Sequence, residues 1–151
     1  MITIRNTQRK IQINEKKIRE NVQQILDILD YSDFDIGIWL TTNKTIQAYN
    51  RDYRNKDKPT DILSFPFYPD LKPPKRIYPK NEDEKNLGDI IISLEYVKKD
   101  AQRLGISFEK RIQILLVHGI CHLLGYDHQT DDDYKIMRKK EAFLLKKLNS
   151  A

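Results

Sequence analysis

Cysteine is nearly absent from this chain, and long hydrophobic runs are missing altogether. The single cysteine, Cys121, cannot form an internal disulfide, and the P-C-x-x-C ligand pair of a zinc deaminase is lacking. The longest apolar run, 112–117, is broken by Gln113 and is far shorter than the roughly 20 residues of a membrane span. No charged-then-apolar leader opens the chain. We therefore expect a cytoplasmic protein with no membrane partner, in which Cys121 is a small buried apolar residue.

Charged residues are abundant and slightly unbalanced. Among 151 residues, 27 are lysine or arginine and 22 are aspartate or glutamate, so the formal net charge is +5. A basic surface can displace the counterions of a polyanion such as RNA, although a solvated lysine-rich surface explains the same composition equally well. The length predicts a single domain spanning residues 1–151.

Strand and helix patterns alternate along the sequence. Residues 1–5 and 34–40 alternate like strands on either side of a helical pattern capped by Asn14, which predicts a β-α-β opening with two parallel strands. Thr42 can cap a helix running to about residue 53. A strand at 62–65 and another at 88–93 can pair across the proline-rich loop 68–86. Three helices follow: the first starts at Ser93 or Leu94, and the next two can be capped by Ser107 and Asp131. The predicted fold is α/β (α+β), a mixed, mostly parallel sheet of about four strands packed with helices.

All three histidines fall in one short segment, HGICHLLGYDH at 118–128. A four-residue spacing on a helix places His118 and His122 on the same face, so their rings can converge. A continued helix would carry His128 about 15 Å from His118, so the chain must turn, and Gly125 can end the helix there. Three imidazoles with an open fourth position are typical of a catalytic zinc site. The spacing predicts one divalent ion, zinc before others, on His118, His122 and His128.

The histidine spacing H-x-x-x-H-x-x-G-x-x-H also occurs in the metzincin zinc peptidases. In those enzymes a glutamate follows the first histidine and acts as general base, whereas Gly119 stands at that position here. The missing carboxylate disfavours ordinary peptide hydrolysis. A degenerate metallopeptidase is therefore an alternative rather than the first expectation.

The histidine segment resembles the signature of the YbeY proteins, which are bacterial endoribonucleases and ribosomal RNA maturation factors. That signature looks like HGxLHLxGYDH. A second block, NRDYRNKDKPTDILSFPF at 50–67, resembles the family's arginine-containing segment, and Gly88-Asp89-Ile90 resembles a third. The resemblance implies an α/β protein with a divalent ion on the three histidines and with Arg54 reaching the same cleft.

Arg54 also has a chemical rationale of its own. A planar guanidinium offers paired donors to phosphate oxygens and never loses its proton, although an ordinary surface arginine is the alternative reading. Asp57 and Asp61 can hold Arg54, accept a histidine N–H or cap turns, and Asp127 can accept a histidine N–H or lie in the turn after Gly125. Residues 131–133 favour the start of the last helix, and one of them could approach the metal.

Four aromatic residues near these motifs have two possible roles. They can stack on RNA bases or pack in the core, and for the phenylalanines we expect the core. These residues are Tyr53, Phe65, Phe67 and Tyr126.

The function implied by the resemblance is a metal-dependent, single-strand-specific endoribonuclease. It would act in maturation of the 16S ribosomal RNA 3′ end and in ribosome quality control, with ribosomal RNA and the small ribosomal subunit as partners. The other alternative is a non-catalytic, metal-stabilised ribosome-binding protein. No dedicated general base is visible in the sequence.

Overall fold

The computed structural model describes residues 1–150, which form four strands, five α-helices and one short 3-10 turn at Glu82–Glu84. The strands are β1 (Ile2–Asn6), β2 (Asp35–Thr41), β3 (Ile62–Pro66) and β4 (Asn86–Ser93). The helices are α1 (Glu15–Ile28), α2 (Asn43–Arg54), α3 (Leu94–Leu104), α4 (Phe108–Leu123) and α5 (Asp131–Asn149). No helix within residues 1–150 has both the length and the apolar character needed to cross a bilayer.

The four strands form one mixed sheet in the order β1-β2-β4-β3. Strands β1 and β2 are parallel, as are β2 and β4, while β3 pairs antiparallel with β4. The parallel pairing of β1 and β2 around α1 confirms the predicted β-α-β opening. The antiparallel pairing across residues 68–86 confirms the predicted partner strands, so the structure is the expected α/β fold.

Helix α4 is the most enclosed helix and carries two of the histidines. It contacts β3, β4 and the helices α1, α3 and α5. Most of its apolar residues, among them Leu116, Val117 and Ile120, are buried, and they join Ile38 and Leu40 of β2 in the main core. Packing on several sides fixes the backbone of α4, and side chains projecting from it are therefore held in defined positions.

The opposite face of the sheet is only partly covered. Ile46 of α2 packs on Leu63 and Ile91 to form a second, smaller cluster, with three aromatic residues at its margin, Trp39, Tyr49 and Phe65. Phe65 thus packs as expected. Phe67 does not, because it lies just beyond the end of β3 and its side chain is 47% exposed. The β1 end of this face is left open.

The helix caps follow the sequence closely. The predicted N-caps Asn14, Thr42 and Ser107 are confirmed, and the helix predicted to start at Ser93 or Leu94 starts at Leu94 with Ser93 as its N-cap. The last one differs by one residue, because the hydroxyl of Thr130, rather than Asp131, accepts the N–H of Asp133 at 3.1 Å. Asp131 is instead the first helical residue, where its negative charge interacts favourably with the positive N-terminal end of the helix dipole.

Candidate metal centre

The three histidines come together at the C-terminal end of α4. The Nε2 atoms of His118 and His122 lie 3.1 Å apart. The ring centroid of His128 lies 6.2 Å from that of His118 and 5.2 Å from that of His122. One ring nitrogen from each histidine can be chosen so that all three lie within 4.8 Å of one another. The three side chains are therefore positioned to share one metal ion.

Gly125 makes the turn that returns His128 to the helix. Its N–H donates to the carbonyl of His122 at 3.0 Å, and its φ of 91° lies in a region that L side chains rarely adopt. A Cβ at this position would also overlap the carbonyl oxygen of Leu71. Both the backbone conformation and the close approach of Leu71 require glycine here, as the sequence predicted for the helix end.

Glu141 of α5 fixes the orientation of the His118 ring. Its Oε2 lies 2.9 Å from Nδ1 of His118, and because a carboxylate only accepts, Nδ1 carries the proton. The lone pair of His118 is then on Nε2, the atom that faces His122. No motif in the sequence predicted Glu141 as the partner of His118. The available signal was its isolation, since it is the only acidic residue of α5 beyond the first turn of that helix.

His122 is uncharged at neutral pH. Burial, together with the neighbouring His118 and His128, lowers the pKa of its imidazole to about 4. A neutral imidazole keeps a lone pair available for a metal. Zinc–nitrogen bonds of about 2.0–2.1 Å at tetrahedral angles hold two ligand nitrogens about 3.3 Å apart, close to the observed His118–His122 separation. The donor set therefore fits a divalent ion such as zinc.

Two neighbours of the histidines on α4 are structural. Cys121 is fully buried, as expected, and burial raises the pKa of its thiol to about 12, so it stays protonated. Gly119 faces the sheet, where an added Cβ would meet the ends of Ile62 and Ile90 at 2.8 Å and 2.9 Å. At the position that holds the general base in metzincin peptidases, a side chain would thus require the ends of Ile62 and Ile90 to move.

The histidines open into a cleft of about 720 Å³ that also contains Arg54. Arg54 is the last residue of α2 and its side chain is exposed. Within residues 1–150 its guanidinium has neither an ion-pair nor a hydrogen-bond partner. The cleft therefore combines three convergent imidazoles with an arginine whose donors are free.

The aspartates near these motifs have structural roles instead. Asp57 accepts from the side-chain amide of Gln47 at 3.0 Å, and Asp127 accepts from the backbone N–H of His128 at 2.8 Å. Asp61 lines the cleft but pairs with Arg111 of α4 at 3.2 Å. None of the three holds Arg54 or accepts a hydrogen bond from a histidine ring. Asp127 lies in the turn, as one alternative predicted, whereas Asp57 and Asp61 bind the side chains of Gln47 and Arg111.

The fold and the site define an α/β protein with a potential three-histidine metal centre in an open cleft. A family model described as endoribonuclease YbeY matches residues 3–149. The chain belongs to the YbeY family.

Individual relatives agree with this assignment. An endoribonuclease YbeY of Persephonella marina is 47% identical over 80% of this chain and 73% of its own length. The human endoribonuclease YbeY is 37% identical over 97% of this chain and 87% of its own length. A solution structure of a Thermotoga maritima protein is similar, with a TM-score of 0.64 and 26% identity, over 98% of this chain and 89% of that protein.

Proposed function

We propose that this protein is a metal-dependent endoribonuclease that hydrolyses phosphodiester bonds of single-stranded RNA in the histidine cleft. The observation that carries the proposal is the unpaired guanidinium of Arg54 in the same cleft as three convergent imidazoles. Membership of the YbeY family, whose relatives are named endoribonucleases, supports RNA as the substrate.

His118, His122 and His128 would hold the ion, most readily zinc because all three donors are imidazole nitrogens. A bound divalent ion supplies Lewis-acid polarisation of a phosphate oxygen and lowers the pKa of a coordinated water. Glu141 keeps His118 in the tautomer whose Nε2 faces the centre. Burial of His122 keeps its ring neutral, so it competes poorly for protons and well for metal.

Arg54 would bind the phosphate and stabilise the charge that develops on its oxygens. Its paired donors match two phosphate oxygens, and its charge persists at every physiological pH. Three carboxylates line the cleft: Asp61 is engaged by Arg111, Asp127 accepts from the backbone N–H of His128, and the carboxylate of Asp133 has no ion-pair or hydrogen-bond partner within residues 1–150. None of them contacts a histidine ring, so we assign no side chain as general base. A coordinated water and the 2′-hydroxyl of the substrate are the two candidate nucleophiles.

The biological setting follows from the family resemblance. We propose that the substrate is ribosomal RNA, that the reaction contributes to maturation of the 16S 3′ end and to ribosome quality control, and that the small ribosomal subunit is the partner in the cytoplasm. The net charge of +5 supports a polyanionic partner.

Cleavage of a labelled single-stranded RNA by variants purified in parallel tests the proposal. Arg54→Ala should lower the rate about 10²–10³-fold with unchanged metal content, and Arg54→Lys should recover little because paired donors become a point charge. His122→Ala should lose both metal and activity. Arg51→Ala is the matched control, because Arg51 lies one turn earlier on α2 and pairs with Asp52. Equal cleavage by wild type, Arg54→Ala and His122→Ala would overturn the endoribonuclease assignment.

A further inference from the structure

An exposed aromatic ring stands at the edge of the cleft, immediately before Arg54. The side chain of Tyr53 is 68% exposed and lines the cleft. The same ring also lines a second groove of about 390 Å³, which runs over the open face of the sheet past Trp39. Tyr53 and Phe65 border both depressions, so they form a ridge between the histidine cleft and the sheet face.

The Tyr53 ring is held in place by other aromatic residues. It lies nearly parallel to Tyr49, with centroids 6.0 Å apart and an interplanar angle of 8°. Phe65 meets it edge-on at 5.3 Å, and Tyr49 is itself packed edge-on against Trp39 at 5.5 Å. A large apolar surface that is fixed by neighbours and yet open to solvent loses little conformational entropy when a ligand covers it.

The surroundings of Tyr53 favour a nucleic acid over an apolar peptide. Three exposed basic residues that form no ion pair within residues 1–150 lie within five positions of it in the sequence, namely Arg54, Lys56 and Lys58. The two acidic residues of the same segment are engaged, Asp52 by Arg51 and Asp57 by Gln47. Beyond the ridge, Arg5 and Asp89 face the second groove with opposite charges. Of the basic residues near Tyr53, Arg54 lines the histidine cleft, so an unpaired positive charge lies beside the ring on the side where a phosphate would bind.

We propose that Tyr53 is a base-stacking subsite for the nucleotide next to the phosphate held by Arg54. This subsite rests on the proposed endoribonuclease function and deepens it. Because Tyr53 and Arg54 are adjacent at the end of α2, Arg54 can bind the RNA backbone while Tyr53 stacks on a neighbouring base. Every nucleobase has a π-face, so stacking tolerates any sequence, whereas in a duplex those faces are already covered. The ridge would thus make the cleft selective for single strands without reading their sequence.

Binding of a labelled single-stranded RNA of roughly 12 nucleotides tests the subsite. Fluorescence anisotropy of the metal-loaded protein is measured in the Arg54→Ala background, so that the RNA stays intact. Tyr53→Ala and Tyr53→Leu should each weaken binding about tenfold or more, and Tyr53→Phe should stay within about twofold. Tyr78→Ala is the matched control, because Tyr78 is 80% exposed and lines neither groove.

An abasic nucleotide moved along the same RNA identifies what the ring contacts. At one position, the missing base should weaken RNA binding by the protein that retains Tyr53 by about the same factor as Tyr53→Ala does. The same missing base should not weaken RNA binding by the Tyr53→Ala variant any further. Equal binding by the Tyr53 protein, Tyr53→Ala and Tyr53→Phe would overturn the subsite. So would a loss in Tyr53→Ala that is independent of the abasic nucleotide, which would indicate a backbone contact or a protein-docking role.

RNA cleavage by the wild-type protein, with both Tyr53 and Arg54 in place, distinguishes failure of this inference from failure of the proposed function. If that protein cleaves RNA while the Tyr53 variants bind normally, only the stacking subsite is wrong. If no variant binds or cleaves RNA, the endoribonuclease function fails and the subsite fails with it. Thermal unfolding of each variant confirms that it is folded, and Tyr53→Phe keeps the test decisive because it changes only a hydroxyl.

Discussion

Nδ1 of His118 lies 2.9 Å from Oε2 of Glu141, a contact that joins α4 to α5 directly behind the histidine cluster. The Glu141 side chain is 17% exposed, so its charge is only partly screened by water. The contact sets the tautomer and the orientation of His118, and it ties the metal centre to the position of the last helix. The candidate metal centre is therefore buttressed by a residue beyond the histidine motif.

Glu141→Gln should weaken metal binding about 10–100-fold while leaving the fold intact. The amide oxygen can still accept from His118, but the charge that strengthens the imidazole as a ligand is lost. Competition with a chromophoric chelator measures the affinity. Glu109→Gln is the control, because Glu109 is an exposed glutamate at the other end of α4. An unchanged affinity in Glu141→Gln would show that the contact does not support the metal.

Removal of the metal by a chelator should abolish RNA cleavage but leave most secondary structure in place. The main core is built from apolar residues of the sheet and of α1, α3, α4 and α5, so folding does not depend on the ion. The melting temperature should fall only by the amount that ligand binding contributes, which grows with the metal concentration. Circular dichroism and calorimetry check both points, and complete unfolding at moderate temperature would instead indicate a structural ion.

Gly119→Glu should destabilise the protein by about 3–5 kcal/mol without creating peptidase activity, because it buries an unpaired carboxylate against Ile62 and Ile90. The matched control is Gly105→Glu, where nothing lies within 4 Å of the added Cβ and only the positive φ is strained. Urea unfolding gives the two free energies. A stable Gly119→Glu protein that hydrolyses peptides would favour the metallopeptidase alternative.

Asp100→Asn should lower the free energy of unfolding by about 1.5–3 kcal/mol at neutral pH. Burial raises the pKa of the Asp100 carboxyl, but the hydrogen bond from Arg103 and the charges of Arg111 and Arg103 outweigh it and hold that pKa below its ordinary value of 3.8. Asp100 therefore binds a proton more readily in the unfolded chain than in the folded protein. The stabilisation that its ionised carboxylate provides is complete above pH 3.8 and is lost as the pH falls through the lower pKa of the folded protein.

Urea unfolding between neutral pH and about pH 3 measures this difference. The difference in free energy of unfolding between the wild-type protein and Asp100→Asn should become smaller below pH 3.8. Asp52→Asn is the control, because the Asp52–Arg51 pair is exposed and contributes less than about 1 kcal/mol. If this difference stayed constant down to acid pH, the ion pairs of Asp100 with Arg103 and Arg111 would not be what stabilises the folded chain.

The sequence by itself determined the features that depend on local geometry. Histidines four residues apart on a helix share a face whatever the rest of the chain does, and Gly125 ends that helix because only glycine readily adopts its φ of 91°. The caps of the first four helices and the β-α-β opening follow from side chains and spacings a few residues apart. For this reason the histidine cluster and the sheet were predicted correctly.

Only the tertiary structure decided which distant residues meet. Glu141 reaches His118 across 23 positions, and Asp61 meets Arg111 across 50, contacts that no local pattern specifies. The exposure of Tyr53 likewise depends on how α2 lies over β3 and β4. Such pairings arise because helices and sheet must bury their apolar faces against one another, and that packing, rather than any short motif, sets which polar side chains face a common cleft.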